Sequence, residues 1–551
     1  MKHATRLALV AGASLLALAS AGADGAEPIA GGPQSGGWAK RVAIKPDPSK
    51  VVVPPGYEVS VFVSGLDTPS AATVDKDGNL WVAISGKLLG GPDEIDPPHV
   101  KVFDRNGRLI KEIGKGVFTT VMNEIEYCPE NDTVYIPEYG EKIWQQKGVD
   151  GKLELIIKDL FMGDHRNGGI TCKDGYIYFA LGFPSNTGFA DPDNHGWVDI
   201  PNDPFWVKHG DPNLPKTPRD PVCRDIVHTG LNIKSSDGRM TGALLPAGVP
   251  AKPGQIIKAT VPCGGSIMRV KMTDRGPDGI YPHEKMEVYA MGFRNQAGIA
   301  FGPKGTKWEN ALAVSDNGAN DLGHRRIANG AEKLFIVTAK GQDAGFPDKE
   351  GFGFVSNKRF GWTSYRGSKV ERPHPNLYIG DEPFVPKLPP YRFQPHIAGV
   401  RGVPLIIANP NPDGYINPVL EWDTNNPIDG IAWGPAVFAG PNKLFGAVYG
   451  ILDTGPESLI PTWPAVLEIE FLEPTGVKWR YFARNIEMGP NAYQKPENRG
   501  GLERPNDVVF SNDGRTMYIV DYGEVYVDFE MPSPFYTVPK SGVIWAVTKK
   551  G

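Results

Sequence analysis

A chain of 551 residues is long enough for three or four ordinary domains, or for one large all-β unit. Gly 67 and Pro 52 make up about 22% of it, against about 12% in average usage, which disfavours a helical bundle; 40% hydrophobic and 10% aromatic residues can still build a sizeable core. Lys+Arg 58 against Asp+Glu 63 leaves a formal charge of −5, without the basic surplus of a nucleic-acid binder.

Residues 1–23 read as a secretory signal peptide. Lys2 and Arg6 precede an apolar run from Leu7 to Ala19 that is too short to span a bilayer. Small residues offer cleavage after Ala21 or Ala23, and the loss of Lys2 and Arg6 takes the charge from −5 to −7. No cysteine sits there to carry a lipid. Later apolar runs are broken by Gly, Pro or charge, so no membrane span is expected and the protein is placed in the periplasm or outside the cell. Residues 24–50, rich in Gly, Pro and Ala, read as a linker. Four cysteines follow: Cys128, Cys172, Cys223 and Cys263. An even count in an exported chain favours disulfides, with three connectivities open; sequential pairing, Cys128–Cys172 and Cys223–Cys263, is the expectation. No CxxC or CxxCH spacing occurs, so neither a zinc knuckle nor a covalent c-type haem is predicted.

From Tyr57 onward one pattern recurs: a turn containing Asp, Asn or Gly, then a short apolar strand. Six such strands fall at 80–84, 134–136, 176–180, 311–315, 444–448 and 516–520. Three are preceded by another strand, at 71–74, 298–301 and 507–510, and strand–turn–strand is a hairpin signal. Six hairpins in series predict an all-β fold, a six-bladed β-propeller occupying 51–551. A β-sandwich with fortuitously similar hairpins is the competing reading. Blades of about 45 residues account for about 270. The surplus falls near 183–290 and 319–430, read as long insertions on the top face that wall a pocket over the central channel.

Polar groups stand where strands meet these top loops. In Gly-Asp-His-Arg-Asn-Gly-Gly (163–169), His165 can take a proton near neutral pH, Asp164 beside it can raise its basicity, and the glycines admit a ligand close to the backbone. A turn histidine bonded only to backbone is the bland reading. Arg294 and Asn295 precede the strand near 298–301, and arginine offers a fixed fork of donors to carboxylates. Arg504, Asn506 and Asp507 stand before the last hairpin. Asp-Asn-Gly-Ala-Asn-Asp-Leu-Gly-His (316–324) supplies oxygens and a tight turn that suit Ca²⁺, although it lacks EF-hand spacing and a solvated turn accounts for it equally well.

At these motifs the sequence resembles the soluble PQQ-dependent glucose and sorbosone dehydrogenases. That resemblance implies a six-bladed propeller oxidising sugars with pyrroloquinoline quinone and calcium on its top face. Asp-His-Arg-Asn-Gly-Gly resembles the segment holding the family's catalytic base, which implies His165 as base with Asp164 beside it. Gly-Phe-Arg-Asn-Gln-Ala-Gly-Ile-Ala-Phe (292–301) resembles the family's quinone-contacting segment and implies Arg294 and Asn295. Ser-Asp-Asn-Gly-Ala-Asn-Asp (315–321) resembles its calcium turn and implies the backbone oxygens of Gly318 and Ala319. Arg-Pro-Asn-Asp-Val (504–508) resembles the family's Arg-x-Arg-Asp-Val and implies Arg504, with Asn506 in place of the second arginine. No lysine follows Val-Tyr-Gly (448–450) where the family has one, and Ala319 replaces a proline; Arg325 and Arg326 are the substitute cations on offer.

The expectation is therefore an exported quinoprotein dehydrogenase acting on a sugar, alcohol or aldehyde. Electrons would leave to a separate acceptor, a soluble cytochrome or a quinone. Two alternatives stand beside it: a metal-dependent propeller hydrolase of lactonase type, and a non-catalytic propeller binding glycan or protein.

Overall fold

The computed structural model describes residues 39–551 except Leu89, Met162, Asp164, Arg166, 190–219, 235–239, Ala247, 320–330, 349–377, 380–381, 384–405, 411–413, Asn425, 451–463, 473–475, 488–494 and 528–534. Six antiparallel sheets of four principal strands succeed one another along the chain. From inner to outer strand, blade 1 is Pro69–Val74, Leu80–Ile84, His99–Phe103 and Leu109–Ile113. Blade 2 is Glu126–Cys128, Thr133–Glu138, Lys142–Gln146 and Leu153–Ile157. Blade 3 is Asn167–Lys173, Tyr176–Leu181, Ser266–Lys271 and Glu287–Met291. Blade 4 is Gln296–Phe301, Leu312–Asp316, Ala331–Val337 and Leu420–Thr424. Blade 5 is Ile428–Trp433, Lys443–Val448, Ala465–Phe471 and Val477–Asn485. Blade 6 takes Pro505–Phe510, Thr516–Asp521 and Gly542–Lys549 from the end of the chain, and Tyr57–Leu66 from its beginning.

The chain is thus a six-bladed β-propeller closed by its own N-terminal strand. Inner strands of neighbouring blades touch all the way round, blade 6 meeting blade 1. Each of the six sequence echoes is the second strand of a blade. Their turns each hold a residue in the left-handed region, Gly78, Asp132, Gly175, Gly305, Asn442 and Gly514, which explains the Asp/Asn/Gly signature. The second strands lie between two other strands and face both neighbouring blades, so they bury both sides; Leu80–Ile84 is buried throughout. One apolar cluster fills each gap between blades. Trp81 and Val100 meet Val134 and Ile136 between blades 1 and 2, for example, and Phe445 and Val466 meet Met517 and Trp545 between blades 5 and 6.

Around the channel the blades approach more closely than side chains allow. A Cβ on Gly168 would fall 2.0 Å from the Gln296 carbonyl oxygen, and one on Gly430 would fall 2.1 Å from Asp507 Oδ1. Both cysteine pairings agree with expectation. Cys128–Cys172 ties the inner strands of blades 2 and 3, and Cys223–Cys263 closes the base of a loop excursion from blade 3.

The stretches 183–290 and 319–430 hold blade strands as well as loop: the last two strands of blade 3 lie in the first, and the last two of blade 4 in the second. These strands follow long connections rather than tight hairpin turns, which breaks the repeat even where an Asn-Gly pair (Asn329-Gly330) precedes Ala331–Val337 in the sequence. Among the described residues, parts of what remains of the two stretches pack together. Phe183, Phe189, Val222, Ile226 and Leu244 from blade 3's excursion share a small core with Phe346, Ile406 and Ile407 from blade 4's. Asp348 accepts the backbone N–H groups of Ile406 and Ile407, and Thr229 N–H donates to Ile406 O, so the two excursions form one cap. Within 24–50, the end is tied down: Asp47 N–H donates to Gly500 O and Ile44 N–H to Glu524 Oε1. The proposed signal peptide lies outside the described residues. No helix among the described residues is long and apolar enough to cross a membrane.

Candidate active site

Antiparallel register places the start of each inner strand beside the end of the second strand, as with Gln296 opposite Asp316. Every motif picked out above therefore sits at one end of the channel. Five of the six inner strands carry a register shift near this end, in blades 1, 3, 4, 5 and 6. Bulges bend a strand and re-aim its side chains, here around the channel mouth.

His165 precedes the inner strand of blade 3 and is 6% exposed. Its Nδ1 lies 2.7 Å from Phe183 O. A carbonyl can only accept, so Nδ1 carries the proton and Nε2 keeps the lone pair when the ring is neutral. Arg294, 2% exposed, stands one blade further on. Its Nε donates to Asn186 O at 3.1 Å, one terminal nitrogen to Asn186 Oδ1 at 2.7 Å, and the other to Asn317 O at 3.2 Å. Its backbone N–H and that of Asn295 both donate to the Asp316 carboxylate. Gly318 N–H donates to Glu332 Oε2 at 2.7 Å, and Ala319 is buried beside it. His165, Arg294, Asn295, Gly318 and Ala319 are thus joined through Phe183, Asn186 and Asn317.

The blade 6 residues stand apart from that chain. Arg504 is fully buried, donates to Val525 O at 3.2 Å, and lies over the Tyr449 ring with 5.2 Å to its centroid. Asn506 Nδ2 donates to Ser70 O and Asp507 accepts the Ala72 N–H, so both stitch blade 6 to blade 1. Asp164, Arg325 and Arg326 lie outside the described residues.

Sequence reading passed over a second feature, a set of acids around the channel: Asp507 and Glu332 are buried, and Glu124, Glu126 and Asp429 half-buried. Asp429 Oδ1 accepts Asn317 Nδ2 at 3.2 Å, and Glu126 accepts the Thr73 hydroxyl at 3.4 Å. Burial pushes Asp429 up to about 7; burial and then the Asp507 charge push Glu126 up to about 8. Burial raises Glu124, Asp507 and Glu332 as well, and holds the neighbouring Lys333 below an ordinary lysine. Glu124-Ile125-Glu126 entering a strand and Asp429-Gly430 inside one were the visible signals. Charged residues in otherwise apolar strands are costly unless they face a ligand, a counter-ion or a shared proton.

Among the described residues, Gln296 (both amide atoms), Asn317 Oδ1, Asn426 Oδ1 and Tyr449 Oη are buried without a hydrogen-bond partner. All four belong to the channel mouth of blades 4 and 5, where such orphans mark a place for a polar ligand. The oxygens of Asn317, Asp429 and Asp507 are hard donors of the kind a divalent cation such as Ca²⁺ takes. Arg294 and Arg504 are the buried guanidinium groups that fit an anionic ligand. The residues present are therefore compatible with a cation and a carboxylate-bearing cofactor. Asp96, His99 and Glu112, on the rim of blade 1, also approach one another, with His99 Nε2 3.2 Å from Glu112 Oε1. There Lys101 and Lys115 each hold the Asp96 carboxylate at 3.1 Å, so two ammonium groups already balance the two acids.

The fold and this site define the class of protein: a six-bladed propeller with a cluster of polar and acidic groups at one end of its channel, beside a small core shared by two loop excursions. No protein-family model matches the chain, and no curated protein matches it. Solved structures do. The holo form of the PQQ domain of pyranose dehydrogenase from Coprinopsis cinerea is similar at 14% identity and a TM-score of 0.48, over 90% of this chain and 97% of that one. The apo form of the soluble aldose sugar dehydrogenase from Escherichia coli is similar at 14% identity and a TM-score of 0.43, over 90% and 100%. The calcium structure of a carbohydrate-active enzyme from Trichoderma reesei is similar at 12% identity and a TM-score of 0.49, over 93% and 98%.

Proposed function

We propose that this protein is an exported oxidoreductase that oxidises a sugar, alcohol or aldehyde with PQQ and calcium and passes the electrons to a separate acceptor, a soluble cytochrome or a quinone. The observation that carries the reading is the state of His165. Its Nδ1–H is committed to Phe183 O, which leaves Nε2 as the basic nitrogen, in the same hydrogen-bonded chain as Arg294 and the Asn317–Gly318 turn. Bound PQQ would supply the hydride-accepting quinone.

His165 Nε2 removes the substrate hydroxyl proton, and Asp164 supports the resulting imidazolium. Arg294, Asn295, Arg504 and Asn506 are assigned to the cofactor. The oxygens of Gly318 and Ala319, with Asn317 Oδ1, are assigned to calcium. Arg294 would favour the negative charge that develops on the hydride acceptor, and a bound cation would add to that. The cap beside His165 and Arg294 excludes water and sets substrate choice.

The channel acids favour one second reading, a hydrolase in which Asp429, Asp507 and Glu126 would hold a metal ion that activates water. Dye reduction separates the two. With PQQ, Ca²⁺ and an aldose or aldehyde, the wild type is expected to reduce an artificial acceptor and His165→Gln to lose at least 100-fold in rate. Lactone hydrolysis with Ca²⁺ alone, and no dye reduction, overturns the oxidoreductase reading.

A further inference from the structure

The segment 183–189 leaves the second strand of blade 3 and runs between the two residues on which the proposed chemistry rests. Phe183 touches both: its N–H donates to Arg294 O at 2.6 Å and its O accepts His165 Nδ1 at 2.7 Å. Asn186 takes the Arg294 guanidinium through its backbone and side-chain oxygens. The strap thus fixes which ring nitrogen of His165 is protonated and where the Arg294 fork points.

Something must hold the strap in turn. The Phe183 ring packs edge-on against Phe346 in the small core and borders a cleft with Cys223 and Leu244, contacts that hold its side chain without fixing the polar groups of residues 185–188. Asp220 supplies the anchor. It is 4% exposed; its Oδ1 accepts Ser185 N–H at 3.1 Å and its Oδ2 accepts the Ser185 hydroxyl at 2.6 Å. Ser185 Oγ also accepts Gly188 N–H at 3.0 Å, which pins the far end of the strap. Asp220 is itself held by its neighbours: Gly264 N–H donates to Pro221 O, and Cys223–Cys263 closes the same base. A buried carboxylate receiving both donors of one serine holds more firmly than a neutral acceptor.

We propose that Asp220, acting through Ser185, is a positioning residue that sets the tautomer of His165 and the orientation of Arg294. Its catalytic consequence rests on the oxidoreductase reading above; its structural consequence does not. The test is histidine-selective ¹⁵N NMR, with His165→Gln giving the assignment, on wild type, Asp220→Ala, Asp220→Asn and Ser185→Ala, alongside dye-linked kinetics.

The wild type is expected to show His165 protonated on Nδ1. Asp220→Ala should populate both tautomers and lower kcat about tenfold, with KM within about threefold. Asp220→Asn, which keeps an acceptor oxygen, should recover part of each effect. Should Asp220→Ala fail to fold, the milder Ser185→Ala carries the same expectation. A folded Asp220→Ala or Ser185→Ala with an unchanged His165 spectrum overturns the proposal. A changed spectrum in proteins that never reduce the dye upholds the positioning role and refutes the oxidoreductase reading.

Discussion

The half-buried channel acids Asp429 and Glu126 make a pH prediction that can be given a number. Asp429, held at about 7, and Glu126, held at about 8, bind their protons more tightly in the fold than in the unfolded chain. Their contribution to stability is complete below ordinary carboxylate pKa values and is lost as pH rises through the folded values. Between pH 6.5 and 8.5 the linkage relation gives about 0.8 kcal/mol for the first and about 1.9 kcal/mol for the second, roughly 3 kcal/mol together. The window begins at about 6.5 because His99 and His228, which burial keeps neutral, act in the opposite direction below it. Lys333, lowered by burial, also opposes the acids, so a variant is needed to isolate the effect. The assay is urea unfolding in chelator at the two pH values, for wild type and Glu126→Gln. The variant is expected to lose about 2 kcal/mol less than wild type on going to the higher pH. Added Ca²⁺ should flatten the wild-type slope by taking the place of the protons. Equal slopes in the two proteins would refute the claim that Glu126 is protonated in the folded channel at neutral pH.

Two further perturbations probe the ring itself. Replacing Cys128 and Cys172 by alanine opens a bridge across 44 residues between two inner strands, and chain entropy gives a loss of about 4 kcal/mol in denaturant unfolding. A loss under about 1 kcal/mol would mean that blades 2 and 3 are held without it. Gly168→Ala brings a methyl group to 2.0 Å from a backbone oxygen that cannot swing away. It is expected to cost about 1–3 kcal/mol or more and to disturb His165, three residues earlier; wild-type melting would contradict the close nesting of blades 3 and 4.

Much of the fold was legible because the second strands announce themselves. They are apolar on both faces, and their turns need a left-handed residue, so Asp, Asn or Gly stands before each. Some outer strands carry the same mark, as Asn106-Gly107 before Leu109–Ile113 and Asp150-Gly151 before Leu153–Ile157, but those of blades 3 and 4 follow long connections and were hidden in what read as insertion. Within the site, His165 and Arg294 were visible as polar groups beside glycines. Phe183, Ser185 and Asp220 were not, because a residue that works through its backbone carbonyl or through a neighbour has no signature of its own. Lys333 and the acids Glu124, Glu126 and Asp429 were missed for a related reason. An isolated charge in a strand looks like a solvent-facing position until the ring closes around it. Asn506, which the motifs assign to the cofactor, also donates its amide to Ser70 O across the seam between blades 6 and 1, a structural tie that the motif does not announce.

The most direct test is a titration of the metal-free protein with PQQ, read by absorbance, with and without Ca²⁺, and followed by addition of an aldose or aldehyde. The account predicts a saturable spectral change that requires Ca²⁺, is weakened at least tenfold by Arg294→Ala, and collapses to the reduced spectrum when substrate is added. No saturable change in the wild type, with Ca²⁺ present, would contradict it.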